Sequence, residues 1–150
     1  MPKLTNGTWV VVADGEKALL MRNLTDHQDP NFQVIAREEQ PQEPENADRP
    51  GRMPDPGPNQ MSALEATDWR TLARDRFATE LSDILYEHAH RGDFQHVVIA
   101  AGPKVLGAIR EALHPEVKAR LVAEIDKDLT HHPRDRIETE VKAALDAMDD

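Results

Sequence analysis

The chain has 150 residues and a formal net charge of -10, from 28 acidic against 18 basic side chains, and is long enough for one ordinary core. That balance excludes a general DNA- or RNA-coating role, because such a surface repels a polyanion except through a local basic patch. With no cysteine, disulfides, thiolate nucleophiles and cysteine-ligated metals are excluded. No apolar run approaches the ~20 residues of a membrane helix. No apolar secretory region precedes Asp14, so the expectation is a cytoplasmic protein with neither a membrane nor DNA as partner.

The first forty residues read as strands. Thr8 to Ala13 is β-branched and almost continuously apolar, the pattern of a strand covered on both faces. Asp14-Gly15 supplies a turn, and Ala18 to Asn23 runs back as its hairpin partner. Phe32 to Glu38 alternates except at Ile35, which suggests cover on both sides. Six of the 11 prolines then fall at positions 41, 44, 50, 54, 56 and 58. They remove amide donors and disfavour helix, so a long loop over about 40–66 is expected, mobile in the free protein.

Order returns at Thr67-Asp68, either of which can cap a helix running to about His90. Its apolar stripe is Trp69, Leu72, Ala73, Phe77, Leu81, Ile84 and Leu85, and Gly92 is the stop. Phe94 to Ala101 is a buried strand, and Gly102-Pro103 opens a second helix with Val105, Leu106, Ile109 and Leu113 inward. Pro115 breaks or restarts it. Leu121 to Ile125 is a last strand, and Pro133 to Met148 a terminal helix with Ile137, Val141, Ala144, Leu145 and Met148 inward.

Few groups carry chemistry. The Gly102-Pro103-Lys104 turn ends a buried strand and opens a helix, where free amides can hold an anion, although one glycine is no phosphate fingerprint. Gly107 reads as a close-packing position. Asp126 and Asp128, two apart, share a face if extended, and with His131 or His132 they can ligate a hard cation. The bland reading is a solvated strand end, with Thr130 satisfying backbone groups before the last helix. Ser62 and Ser82 are the only serines and neither sits in a nucleophile elbow. Asp14 is either a lone acid or simply the turn former. The loop from Arg49 to Gln60 sets two arginines and two glycines on a proline scaffold, suited to insertion into a partner such as RNA backbone. Residues 102 to 120 hold Lys104, Arg110, Lys118 and Arg120 against Glu111 and Glu116, a basic island in an acidic chain.

Five segments, taken in order, resemble the bacterial host attachment proteins, described as required for attachment to host cells. They are Trp9-Val10-Val11-Val12-Ala13-Asp14-Gly15, Arg49-x-Gly51-Arg52, Arg76-Phe77-Ala78-x-Glu80-Leu81, Val105-Leu106-Gly107-x-x-Arg110 and Lys127-Asp128-Leu129-Thr130. That family is similar in fold to the middle domain of eukaryotic and archaeal peptide-chain release factors, a ribonuclease-H-like fold. The resemblance implies a role at the ribosome, with the proline-rich loop matching the release-factor loop that carries Gly-Gly-Gln. Here the loop ends Gly57-Pro58-Asn59-Gln60, without adjacent glycines, so peptidyl-tRNA hydrolysis does not carry over. No ribonuclease-H acidic cluster is evident in the sequence.

The combined expectation is one α/β domain over residues 1–150. It has a mixed β-sheet with flanking helices in the order β-β-β-loop-α-β-α-β-α, of ribonuclease-H-like translational-component type. Its function is expected to be non-enzymatic binding or regulation with the ribosome or RNA as partner, attachment being an indirect phenotype. Partner contacts are expected at Arg49, Gly51, Arg52, Gln60, Lys104, Gly107, Arg110, Lys127, Asp128 and Thr130. No catalytic residue, cofactor or metal is expected. The competing expectation is a hydrolase acting on RNA or a small phosphorylated ligand, favoured if Asp14, Asp126 and Asp128 gather around one cavity.

Overall fold

The computed structural model describes residues 3–40 and 63–148. Strands β1 (Trp9–Ala13), β2 (Lys17–Asn23) and β3 (Phe32–Glu39) come first, followed by the long helix α1 (Ala63–His90). Then come β4 (Val97–Ala101), α2 (Pro103–Ala112), the short α3 (Pro115–Lys118), β5 (Leu121–Asp126) and α4 (Arg134–Ala147). The five strands form one mixed sheet in the order β3-β2-β1-β4-β5. The β1–β2 and β2–β3 pairs are antiparallel, and the β1–β4 and β4–β5 pairs are parallel. This is the α/β architecture and element order expected from the hydrophobic pattern.

Every residue of β1 and β4 is buried, because both strands lie inside the sheet with helices on each face. Trp9, Val11 and Ala13 pack with Phe77, Leu81 and Leu85 of α1 and Leu106 and Ile109 of α2. Val10 and Val12 point the other way, toward Ile137, Val141 and Leu145 of α4. Continuous apolarity in Trp9 to Ala13 thus feeds two cores through the two-residue alternation of a strand.

The irregular Ile35 has a local cause. Leu20 pairs with Ala36 and Met21 with Val34, so Ile35 is the extra residue of a β-bulge. Phe32 and Val34 join the core under α4, Ala36 joins the one under α1, and Ile35 itself is exposed. The strand does meet both cores, one with each half, and it is not covered on both faces along its length.

Other boundaries differ from expectation. Helix α1 begins at Ala63, so Thr67-Asp68 lies inside it rather than capping it, and the loop ends before residue 63. Trp69 and Leu72, expected inward, are 45% and 56% exposed. Among the described side chains of the helix, the first buried one is Phe77. Its end follows the pattern: Gly92 has φ +79, and its amide and that of Asp93 reach back to Ala89 and His88. Strand β4 starts at Val97 rather than Phe94. Met148 is exposed, lying one residue past the end of α4.

Gly107 is a clear correction. A Cβ built there meets nothing within 4 Å, so close packing does not explain it. A helix-interior glycine facing open space costs backbone entropy with no compensating contact. Gly107→Ala is expected to stabilise the protein by about 0.5–1 kcal/mol, read as a raised midpoint in urea denaturation.

Candidate functional site

The strand register gathers the loops that matter. Ala13 pairs with Ala18 and with Ala101, and Ala101 pairs with Asp126. Strands β1, β4 and β5 are parallel, so Asp14, Gly102 and the 127–131 loop leave the sheet along one edge, where open α/β sheets place ligands. Lys17 pairs with Glu39 and opens β2 at this same edge. Gln40 follows, its side-chain amide donating to the Ala73 carbonyl of α1 at 3.2 Å. Arg74 and Val105 flank Gly15.

Asp14 forms the turn and also reaches beyond it. Its Oδ1 accepts the Glu16 and Lys17 amides at 2.7 and 2.8 Å, which makes the turn with the side chain itself. Its Oδ2 lies 3.3 Å from the Thr130 hydroxyl, across 116 residues of sequence. Asp128 Oδ1 lies 2.5 Å from the same hydroxyl and accepts the Thr130 amide at 3.0 Å. Thr130 therefore ties the β5–α4 loop to the β1–β2 turn.

Burial pushes the Asp128 carboxyl up, but the two Thr130 hydrogen bonds, with the charges of His131 and Lys17, outweigh it and leave the pKa below its ordinary value. A carboxyl depressed on folding stabilises above its unfolded pKa, and that contribution is lost as pH falls through the folded value. Thr130→Val is expected to cost about 1 kcal/mol near neutral pH and to lose less stability on acidification than wild type. Urea midpoints at pH 7 and pH 3 check both signs.

Ligand atoms of Asp14, Asp128 and His131 lie within 4.8 Å of one another, a set able to accept a divalent cation. Asp126, whose gathering with Asp14 and Asp128 would have favoured the hydrolase alternative, is not part of this group, whereas His131, a candidate ligand from the sequence, is. Asp126 ends β5 two residues after Glu124 and adds its charge to the field at Arg110. The grouping of Asp14 with residues of the last loop was not legible as a sequence motif, because only the parallel register joins them. Beside this group, Lys17, Leu19, Arg37, Glu39 and Thr130 border a cleft of about 210 Å³.

The expected partner residues are distributed unevenly. Lys104 is exposed in the first turn of α2, just past Gly102, which offers no side-chain cap. Thr130 and Asp128 lie at the same sheet edge, as described. Lys127 follows β5 but pairs with Glu140 of α4 at 3.4 Å. Arg110 grips both carboxylate oxygens of Glu124, at 3.0 and 3.2 Å from Nε, and that hydrogen bonding and charge hold the guanidinium more firmly protonated than usual. Arg120 donates to the Phe94 carbonyl at 2.6 Å and faces Glu116. Two of the four bases in the expected island are thus occupied within the protein. Arg49, Gly51, Arg52 and Gln60, with the expected mobility of their loop, lie outside the described residues.

The family model for bacterial archaeo-eukaryotic release factor family 12 matches residues 7–141, a span from the start of the sheet into α4. The chain belongs to that family. The release-factor part of the resemblance is therefore established, and host attachment is no part of the matched description. One solved structure, described as "Archaeal protein", is similar with a TM-score of 0.45 and 11% identity. The match covers 95% of this release-factor-family chain and 38% of that one. No curated protein matches.

Proposed function

We propose that this release-factor-family chain is a non-enzymatic binding module of translation, with the ribosome or its RNA as partner. The observation that carries the reading is the family match over residues 7–141. The sheet edge gives these groups a structural role: Asp14 closes its own turn, Asp128 holds Thr130 within its loop, and the Thr130 hydroxyl lies 3.3 Å from Asp14 Oδ2 between the two. Ser82 is buried and donates to the Ala112 carbonyl at 2.7 Å, which leaves it in no position to act as a nucleophile. Lys104 is exposed at this edge, where β3 also ends at Glu39; Arg49, Gly51, Arg52 and Gln60 follow β3 in the sequence. In this reading those five residues meet the partner, in a cytoplasmic setting, and any effect on attachment to host cells follows indirectly.

Affinity capture from native lysate tests the reading, with wild type and a variant lacking residues 41–60. Ribosomal RNA and ribosomal proteins should be retained by wild type and depleted in the shortened variant. Capture without ribosomal components would count against it.

The Asp14–Asp128–His131 group favours a second reading, a metal-assisted hydrolase of RNA or of a small phosphorylated ligand. Cleavage of such substrates with added divalent cation, abolished in Asp128→Asn, would replace the first reading with this one.

A further inference from the structure

The sheet carries two register shifts, and both place the extra residue on an edge strand. Between β2 and β3 it is Ile35, and between β4 and β5 it is Val122, since Val97 pairs with Leu121 and Val98 with Ala123. The β1–β2 and β1–β4 pairs run without a shift. Val122 packs against the core under α4, but Ile35 is exposed and joins neither core. Neither core needs it. Val34 meets one and Ala36 the other, the alternation that adjacent residues of a regular strand would give. Pairing does not need it either. Without Ile35, residues 32–34 and 36–39 would oppose residues 17–23 of β2 one for one.

The effect of Ile35 falls on the outer edge of β3. The Asn31 carbonyl accepts the Leu24 amide, and the Gln40 amide donates to the Glu16 carbonyl. By alternation, Gln33 faces β2 at one end of the strand, and Ala36 and Glu38 face it at the other. Phe32 and Val34, then Arg37 and Glu39, therefore turn their backbone groups outward. The bulge stretches this two-residue repeat to three at its centre. A regular strand laid along β3 can match the first half or the second, not both. The first outward donor is also occupied, because the Phe32 amide donates to Glu138 Oε2 of α4 at 2.7 Å. Among the described residues, no strand pairs with this edge.

We propose that the Ile35 bulge and the Glu138 cap guard the β3 edge, keeping it from pairing with β3 of a second copy. The strand has 8 residues, and an unpaired edge of that length is a template for another strand. A second copy is the strand present wherever the chain is. Two regular β3 strands related by a two-fold axis through Ala36 would pair antiparallel, with Val34 opposite Arg37, Phe32 opposite Glu39 and Gln33 opposite Glu38. No like charges are opposed in that arrangement, so the side chains do not forbid it. The broken backbone repeat does.

Deletion of Ile35 tests the guard, because it removes the bulge and leaves every other residue of β3 on its own face. In sedimentation velocity over a concentration series, wild type should stay monomeric while the deleted chain doubles its apparent mass. Adding Glu138→Ala should shift that dimerisation to lower concentration. Adding Arg37→Pro instead should restore the monomer, since it removes an outward amide and no bond to β2. Cooperative thermal unfolding shows that the deleted chain is folded. Wild type supplies a second measurement that needs no variant. The outward amides of Val34, Arg37 and Glu39 should exchange with solvent roughly tenfold or more faster than those of Gln33, Ala36 and Glu38. A folded, deleted chain that stays monomeric even with Glu138→Ala would overturn the proposal, as would a dimer indifferent to Arg37→Pro. So would a wild-type dimer abolished by Arg37→Pro, or outward amides as protected as the inward ones.

Discussion

Asn23→Ala is expected to cost about 3 kcal/mol or more, a large effect for one uncharged side chain. Asn23 is fully buried at the end of β2. Its amide donates to the Leu4 carbonyl at 2.7 Å and lies 3.3 Å from that of Asp26. Its carbonyl accepts the Asn31 amide at 2.9 Å and the Thr25 amide at 3.4 Å. One side chain thus joins the N-terminal segment to both ends of the β2–β3 connection. Truncation leaves several backbone groups unsatisfied, each costing about 1–3 kcal/mol where water cannot enter. Leu4, itself fully buried in the core under α4, would lose its anchor. Asn23→Asp sets a buried carboxylate oxygen against the Leu4 carbonyl and should cost at least as much as alanine at neutral pH. Urea denaturation checks the order. A loss under about 1 kcal/mol for alanine would mean that water replaces these bonds.

Leu81→Ala is expected to cost about 2–5 kcal/mol, whereas Leu72→Ala should change stability by no more than about 0.5 kcal/mol. The two leucines belong to one apolar helix pattern but lie nine residues apart, about 180° round the helix, and so face opposite sides. Leu81 is fully buried among Phe77, Leu85 and the α1-facing side chains of the sheet. Leu72 is 56% exposed. Removing the first leaves a cavity in a closed core, and removing the second exposes backbone already near solvent. Equal losses in the two variants would show that the start of α1 is covered in solution.

This contrast also marks how far the sequence could be read. Strand identity was legible at Trp9–Ala13 and Val97–Ala101, because β-branched runs bounded by Gly15 and Gly102 admit few alternatives. Helix stops at Gly92 and starts at Pro103 were legible from glycine and proline stereochemistry. What three- and four-residue steps taken one at a time do not give is a single face along a long helix. Trp69 and Leu72 are spaced by such a step and are both exposed, and Leu72 lies about 180° round the helix from Leu81. Ile35 was illegible for a related reason, since a bulge follows from pairing between strands rather than from either strand alone. At the site, Asp128 and Thr130 were visible as candidates, yet their union with Asp14 depends on the parallel β1–β4–β5 register. The Arg110–Glu124 pair is non-local in the same way. It turns an apparently free basic residue into part of the α2–β5 contact.

The proposed function places the chain in translation, so the decisive measurement is co-sedimentation of the purified protein with ribosomes across a salt series. The account predicts association at low salt that falls as salt rises and is weakened by Lys104→Glu, because a polyanionic partner is held through counterion release. No association at the lowest salt, or association indifferent to both salt and Lys104→Glu, would contradict it.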